Sequence, residues 1–330
     1  MARHFRMDAL IAAYNLDASE SVQIERALLG LRAKLFEVRF PQFNAELWIP
    51  PEAQRVDPGL NHWTYGYITH YATVKLHTGM SSRGPRAEVK RTEATPIAFV
   101  TKTNSYGYSV QDLRSSNLSN FDLPGNKAKA ARMGHEQYRD ELLFMADGSD
   151  AWEGRRGLFK LPVSGAESVR VYTVGTGALG SKLWSMKTAL EMLADMHGIC
   201  DGIISNSNGV ETPNVLGLPL QEYLRAARTP MGDGNTASVL EHFLKTRRAI
   251  NPGFVVEPHW RLATAGASSD GRMIAYERSP EKVARVESIV FNQAQPQIEA
   301  WETVTDCESR SAGVYSPYPL SVSYGDGISA

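Results

Sequence analysis

Apolar positions along the chain fall into three kinds of pattern. From Glu20 to Phe40, Ile24, Leu28, Leu31, Leu35 and Val38 recur at spacings of 4, 3, 4 and 3, which places them on one helical stripe. Asp17 and Glu20 supply a capping-box start and Pro41 a stop. From Pro124 to Ala146, Ala131, Gly134, Tyr138, Leu142 and Met145 line one face of a second helix. Asp122 stands at its cap, Pro124 in its first turn and Gly148 beyond its end. At 1.5 Å per residue that helix is about 33 Å long. A third amphipathic helix is expected over 181–197, through Leu183, Met186, Leu190 and Leu193.

The second pattern has period two. Between His62 and Tyr71, Trp63, Tyr65, Tyr67 and Tyr71 share odd parity, so one strand puts all four aromatics on one face. A second extended run covers 92–103. Between them lies a small, basic segment carrying Arg83 and Arg86, with Lys90 and Arg91 just behind it. Residues 62–103 therefore read as a two-stranded excursion with a basic tip. Such a hairpin is marginal alone in water and persists where something covers it. Pro41 to Asn61, rich in Pro, Asn and Asp, reads as an extended arm with turns.

The third pattern is short apolar runs between helices. Strands are expected at 202–205, 214–218, 253–258 and 273–276, with helices over 220–227 and 237–247. Residues 289–323 read as mostly extended. The fold class is α+β.

Composition narrows the function. The 330 residues carry 35 basic and 36 acidic side chains, a formal net charge of -1. The basic excess of a dedicated nucleic-acid binder is missing. An apolar share of 42% is enough to build a core. Two cysteines exclude a disulfide framework. No run of about 18 apolar residues points to a membrane span. Six Trp, thirteen Tyr and eleven Phe supply rigid contact residues for a core or an interface.

One motif points to chemistry. Gly175-Thr176-Gly177-Ala178-Leu179-Gly180 matches G-x-G-x-x-G between the strand-like 169–174 and the helix expected from Ser181, the setting of a dinucleotide site. The acidic residue expected about 20 positions on is either Asp195 or Asp201. No second mononucleotide-binding half follows. Other catalytic or zinc patterns are missing, so no catalytic, cofactor-binding or metal residue is assigned and no cofactor is expected. An arm, a hairpin and a long helix with little chemistry suit assembly.

Several runs, in order, resemble the major capsid proteins of tailed bacteriophages. They are Thr103-Asn104-Ser105-Tyr106-Gly107-Tyr108-Ser109-Val110-Gln111-Asp112-Leu113-Arg114, the segment 152–158, Val239 to Lys245, Gly313 to Leu320, and Tyr324-Gly325-Asp326-Gly327-Ile328. The resemblance runs from about residue 60 to 328. It implies an N-terminal arm over 1–59 and an extended β-hairpin loop over 60–104 that overlaps a neighbour. It implies a peripheral domain over 105–197 with its spine helix at 124–146, an axial domain over 198–283, and a return to the peripheral domain over 284–330. The implied function is self-assembly, as hexamers and pentamers, into an icosahedral shell around double-stranded DNA. The shell is built in the host cytoplasm and found in the virion.

The expected interface residues are Trp63, Tyr65, Tyr67 and Tyr71 on the loop, Arg83 and Arg86 at its tip, and Leu28, Leu31 and Leu35 in the arm. Some relatives carry a scaffolding segment ahead of the arm. None precedes the arm in this sequence, so a separate scaffolding protein is expected, with a portal and a cement protein as further partners. Some relatives crosslink a loop lysine to a neighbour, and Lys75 and Lys90 lie in the loop region here. Two alternatives stand beside this reading: an encapsulin-like nanocompartment shell, which shares the fold, and a nicotinamide-dependent oxidoreductase resting on Gly175 to Gly180.

Overall fold

The computed structural model describes residues 41–76, 84–119, 122–165, 167–232 and 235–329. The elements below all belong to the unit Phe43–Ala330. In chain order they begin with a short helix α1 (Ala45–Trp48), then strands β1 (His62–Trp63), β2 (Gly66–Tyr71), β3 (Glu88–Glu93), β4 (Ile97–Ala98) and β5 (Val100–Ser109). Helices α2 (Val110–Ser119) and α3 (Leu123–Met145) follow, then β6 (Arg170–Tyr172) and α4 (Ala189–Asn206). Next come β7 (Val215–Pro219), α5 (Leu220–Arg228), the pair β8 (Pro230–Gly232) and β9 (Asn235–Ser238), and α6 (Val239–Ile250). The chain closes with β10 (Val255–His259), β11 (Arg272–Tyr276), β12 (Ala284–Gln293), β13 (Gln297–Glu299), β14 (Glu302–Tyr315) and β15 (Val322–Asp326).

Two larger sheets organise these elements. One has the order β10-β7-β11-β15-β6. Its β7, β11 and β15 are buried along their length save Asp326, as expected of strands covered on both faces. Helices α4, α5 and α6 pack on it through Met196, Ile199, Ala226 and Phe243. In the second sheet, β14 lies between β5 on one edge and β12 and β13 on the other. The long helix α3 lies against β5, β12 and β14.

Helix α3 starts as its sequence dictates. The Asp122 carboxylate accepts from the Gly125 N–H at 3.0 Å and Pro124 fills the first turn. An exposed pair one turn apart braces its middle, Arg132 Nε to Glu136 Oε1 at 2.8 Å. The buried stripe differs from the expected one. Gly134 is exposed, whereas His135 and Asp140 are buried with Ala131 and Leu142. Polar partners explain the difference. The two ring nitrogens of His135 meet Asn104 Oδ1 at 2.9 Å and Ser309 Oγ at 2.8 Å, tying α3 to β5 and β14. Asp140 accepts from the Ala45 N–H at 3.3 Å and from Arg261 at 3.1 Å. Arg139 grips Glu287 with Nε and Nη2 at 2.5 and 2.8 Å, and Glu46 with Nη1 at 2.7 Å.

The next helix departs from expectation at both ends. It begins at Ala189, not Ser181, because Thr188 and Glu191 form a reciprocal capping box. It runs on to Asn206, so Gly202 to Ser205, expected as a strand, is its last turn. An all-apolar run fits a buried helix as well as a strand. Residues 45–56, read as arm, are rooted in the core. Trp48 stacks on Tyr276 at 6.4 Å and meets Phe144 and Phe159 edge-on at 6.1 and 5.7 Å. The Tyr276 hydroxyl donates to the Trp48 carbonyl at 2.8 Å. Both cysteines are buried and free, and burial pushes the Cys200 thiol up to about 12. No described helix is long and apolar enough to cross a membrane.

Candidate assembly surface

The excursion between β1 and β4 is built in two parts. At its root, β1 and β4 pair His62 with Ala98 and Trp63 with Ile97. Trp63 and Tyr65 turn toward a small core of Val56, Phe99, Ala284, Val286, Ala312 and Tyr315. The ring of Tyr315 lies 6.2 Å from Trp63 and 5.1 Å from Tyr65, and Tyr67 meets Tyr65 edge-on at 5.3 Å. The Tyr67 hydroxyl donates to the Tyr65 hydroxyl at 3.3 Å. Burial, with this bond, pushes the Tyr65 phenol upward. Three of the four aromatics thus share a half-buried side and anchor the excursion to its own chain.

Beyond the root, β2 and β3 form a two-stranded ladder pairing Gly66 with Glu93 through Tyr71 with Glu88. Apart from Tyr67, every residue in it is exposed. Alternation sorts the side chains. One face carries Tyr67, Thr69 and Tyr71 beside Thr92, Lys90 and Glu88. The other carries Ile68 and His70 beside Arg91 and Val89. Ile68 and Val89, diagonal neighbours, are 63% and 66% exposed, and Tyr71 is 55% exposed. Val74 and Leu76 continue the apolar series into solvent. Residues at the foot of β3, including Arg86, are exposed as well.

Of the expected interface residues, Tyr71 and Arg86 are exposed on the ladder side, and Trp63, Tyr65 and Tyr67 sit at the root. Leu28, Leu31, Leu35 and Arg83 lie outside the described residues. The sequence reading missed Ile68 and Val89. The even parity of β2 was the signal for Ile68, and Val89 stands opposite His70 on that same face. A further exposed apolar pair, Ile298 and Trp301, flanks the turn from β13 to β14, where the Trp301 carbonyl receives the Val110 N–H at 3.0 Å.

The glycine-rich segment has a different role from the one its motif announces. Its strand is short, Arg170–Tyr172, and the helix starts nine residues after Gly180. The first turn of that helix is capped from within by Thr188 and Glu191, which puts a carboxylate where a pyrophosphate site needs free amides. The loop's amides are occupied from within: Gly175 N–H donates to Asp195 Oδ1 at 3.1 Å and Ala178 N–H to Glu191 Oε1 at 2.8 Å. Asp195 is buried in an ion pair with Lys187 and accepts from the Trp184 indole at 3.1 Å. Both carboxylates stand where an anionic ligand would bind, which corrects the dinucleotide reading.

A cleft of about 260 Å³ opens beside α3, lined in part by Phe43, Arg132, His135, Arg139 and Phe291. Arg139 is held by Glu287 and Glu46, and both His135 nitrogens are engaged. The groups in this cleft join helix to sheet.

A model of the family described as Major capsid protein matches residues 74–328. The chain belongs to that family. Its fold is shared with solved capsid proteins. The capsid of Myoviridae phage XM1 aligns with a TM-score of 0.75 at 13% identity, covering 92% of this chain and 98% of that one. The capsid of a native GTA particle aligns at 0.59 and 10% identity, covering 96% and 100%. A structure from Mycobacterium phage Che8 aligns at 0.58 and 10% identity, covering 91% and 96%. No curated protein sequence matches this capsid chain. At such identities the structures establish the tailed-phage capsid fold, and the family match establishes the class.

Proposed function

We propose that this chain is the repeating subunit of a tailed bacteriophage head, and that copies close as hexamers and pentamers into an icosahedral shell around double-stranded DNA. The observation that carries the reading is the bare β2–β3 ladder in a chain of this family. A two-stranded ladder exposed on both faces lacks the third layer that such ribbons need. A neighbouring copy supplies it, burying Ile68, Tyr71 and Val89 and pairing Arg86, Lys90 and Arg91 with acids. Each fully buried side chain of this kind contributes about 1.5–3 kcal/mol, and the contact repeats around a closed shell. Root and ladder divide the work, since Trp63, Tyr65 and Tyr67 hold the excursion to its own chain.

The domains follow the same reading: arm 1–59, rooted in the core from Ala45 onward, extended loop 60–104, peripheral domain 105–197 with the spine helix, axial domain 198–283, and return 284–330. In its support, α3 lies on the β5–β14–β12 sheet while β7, α5, α6, β10 and β11 gather in the other. Strands β6 and β15 complete the sheet of β7, β10 and β11, so the axial part draws on segments outside 198–283. A separate scaffolding protein, a portal and a cement protein are the further partners, and the virion is the destination.

Negative-stain electron microscopy of the purified chain, alone and with the proteins encoded beside it, tests this. Closed shells or five- and six-fold rings are expected, and shells isolated from infected cells should hold nuclease-protected DNA. A monomer or dimer under all these conditions overturns the proposal. Shells filled with an enzyme instead of DNA identify a nanocompartment.

A further inference from the structure

Charge is divided along this chain in a way that its near-neutral total conceals. Residues 66–92 carry Lys75, Arg83, Arg86, Lys90 and Arg91 against Glu88. Residues 288–309 carry Glu299, Glu302, Asp306 and Glu308 and no lysine or arginine. The first stretch contains the bare ladder. The second contains the hairpin of β13 and β14.

The acids of this hairpin gather on one face. Directly opposite residues of antiparallel strands share a face, and side chains alternate along each strand. Glu299 stands opposite Glu302, so both share a face with Asp306 and Glu308. The other face of β14 turns toward α3. Thr305 and Cys307 are buried there, and Ser309 bonds His135 at 2.8 Å. Helix α3 thus covers one side of the sheet while acids line the other. Glu299, Glu302 and Asp306 are exposed, and among the described residues they join no ion pair. Like charges directly opposite across a ladder are destabilising. The pair Glu299 and Glu302 therefore carries a repulsion that a cation from outside would relieve. Ile298 and Trp301, 80% and 75% exposed, add apolar surface at the same end.

We propose, on the reading of this chain as a shell subunit, that the acidic β13–β14 hairpin of one copy is the seat of another copy's β2–β3 ladder. Lys90 and Arg91 meet Glu299 and Glu302, and Ile68 and Val89 meet Ile298 and Trp301. Both surfaces are bare, opposite in charge and provided with exposed apolar side chains. Within one copy they stand apart. The excursion springs from its root, where Arg310 donates to the Leu60 carbonyl at 2.6 Å. Glu302 lies at the far end of the β5–β14 pairing, about 27 Å along β14 from Arg310. The ladder's own ion pair, Arg91 to Glu93 at 3.4 Å, joins side chains 73% and 64% exposed and is free to rearrange. The contact is heterologous, since each copy offers two different surfaces. Contacts of this kind close into rings where the rotation between copies closes.

Charge reversal in the full-length chain tests the pairing. Glu299→Lys with Glu302→Lys, and separately Lys90→Glu with Arg91→Glu, should each cut the yield of shells at least about tenfold, because like charges then face each other. All four substitutions together restore opposite charges, and the yield should return to within about threefold of native. The four positions are exposed, so melting temperatures should hold within about 2 °C. A second measurement uses the native chain alone. Heavy-isotope and ordinary copies are mixed under assembly conditions and treated with a carbodiimide. The Lys90 amine and a touching carboxylate condense to an amide, and the carbodiimide takes up the water as a urea. Peptides joining Lys90 of one isotope to Glu299 or Glu302 of the other are expected. A fourfold variant that assembles no better than either double, or mixed-isotope links from Lys90 only to other carboxylates, overturns the pairing, while native shells would still support the proposed function. Lys90–Glu302 links in oligomers that never close uphold the pairing and overturn the shell. A native chain that neither oligomerises nor crosslinks overturns both.

Discussion

His259 closes β10 inside an aromatic nest, its ring 5.3 Å from Trp48, 4.3 Å from Phe144 and 5.2 Å from Phe159. Its Nδ1 accepts the Arg261 N–H at 3.2 Å, so the ring is neutral with its proton on Nε2, which is buried without a partner. Burial, reinforced by the nearby Arg261 charge, pushes its pKa down from 6.5 to about 4. A histidine lowered on folding stabilises above its unfolded pKa and loses that contribution as pH falls toward the folded one. Between pH 7 and pH 5 the unfolded chain takes up about 0.7 of a proton here and the folded chain about 0.1. The linkage integral over that window is on the order of 2 kcal/mol of lost stability. With a urea slope of about 3 kcal/mol/M, the midpoint should drop by ~0.6 M. His259→Phe keeps the ring and removes the proton. The variant should start about 1 kcal/mol less stable at pH 7, because the Arg261 N–H loses its acceptor. It should then lack the part of the pH 7-to-5 decline that His259 causes. His135 and His197, also lowered chiefly by burial, titrate alike in both proteins and cancel in the comparison. Equal declines in native chain and variant would refute the assignment of a buried neutral imidazole.

Three further tests by substitution probe packing, charge and assembly. A methyl group on Gly217 would sit 2.7 Å from Ile274 Cγ2 and 2.8 Å from the Trp48 ring, so Gly217→Ala should cost about 1–3 kcal/mol in a urea melt. Arg139→Met takes the two-pronged partner from buried Glu287, leaves it Arg285 at 3.1 Å, and should cost about 2 kcal/mol in a urea melt. Ile68→Asp with Val89→Asp alters exposed positions, so stability should stay within about 0.5 kcal/mol, yet electron microscopy should show no closed shells.

Local signals carried part of the architecture into the sequence. Asp122 and Pro124 mark the start of α3, and the β7, β10 and β11 runs match their strands within two residues. The parity of Trp63, Tyr65 and Tyr67 also holds at the hairpin root. What was hidden depends on distant partners. His135 and Asp140 belong to the buried side of α3 only because Asn104, Ser309, Ala45 and Arg261 arrive to bond them. The glycine motif reads as a ligand loop until Asp195 and Glu191, 20 and 13 residues from the amides they bind, fill it. Parity sorts side chains onto faces but is silent on where the chain's own core ends. Tyr71 shares a face with Tyr67 and lies beyond that core, and Ile68 and Val89 were passed over for the same reason.

The most direct test of assembly through the ladder is a cryo-electron microscopy map of the particle at side-chain resolution. The account predicts that β2 and β3 lie on an adjacent copy, with Ile68, Tyr71 and Val89 out of solvent and Arg86, Lys90 or Arg91 paired with a neighbour's carboxylates. A shell in which the ladder stands free in solvent, its apolar side chains as bare as in the single chain, would contradict it.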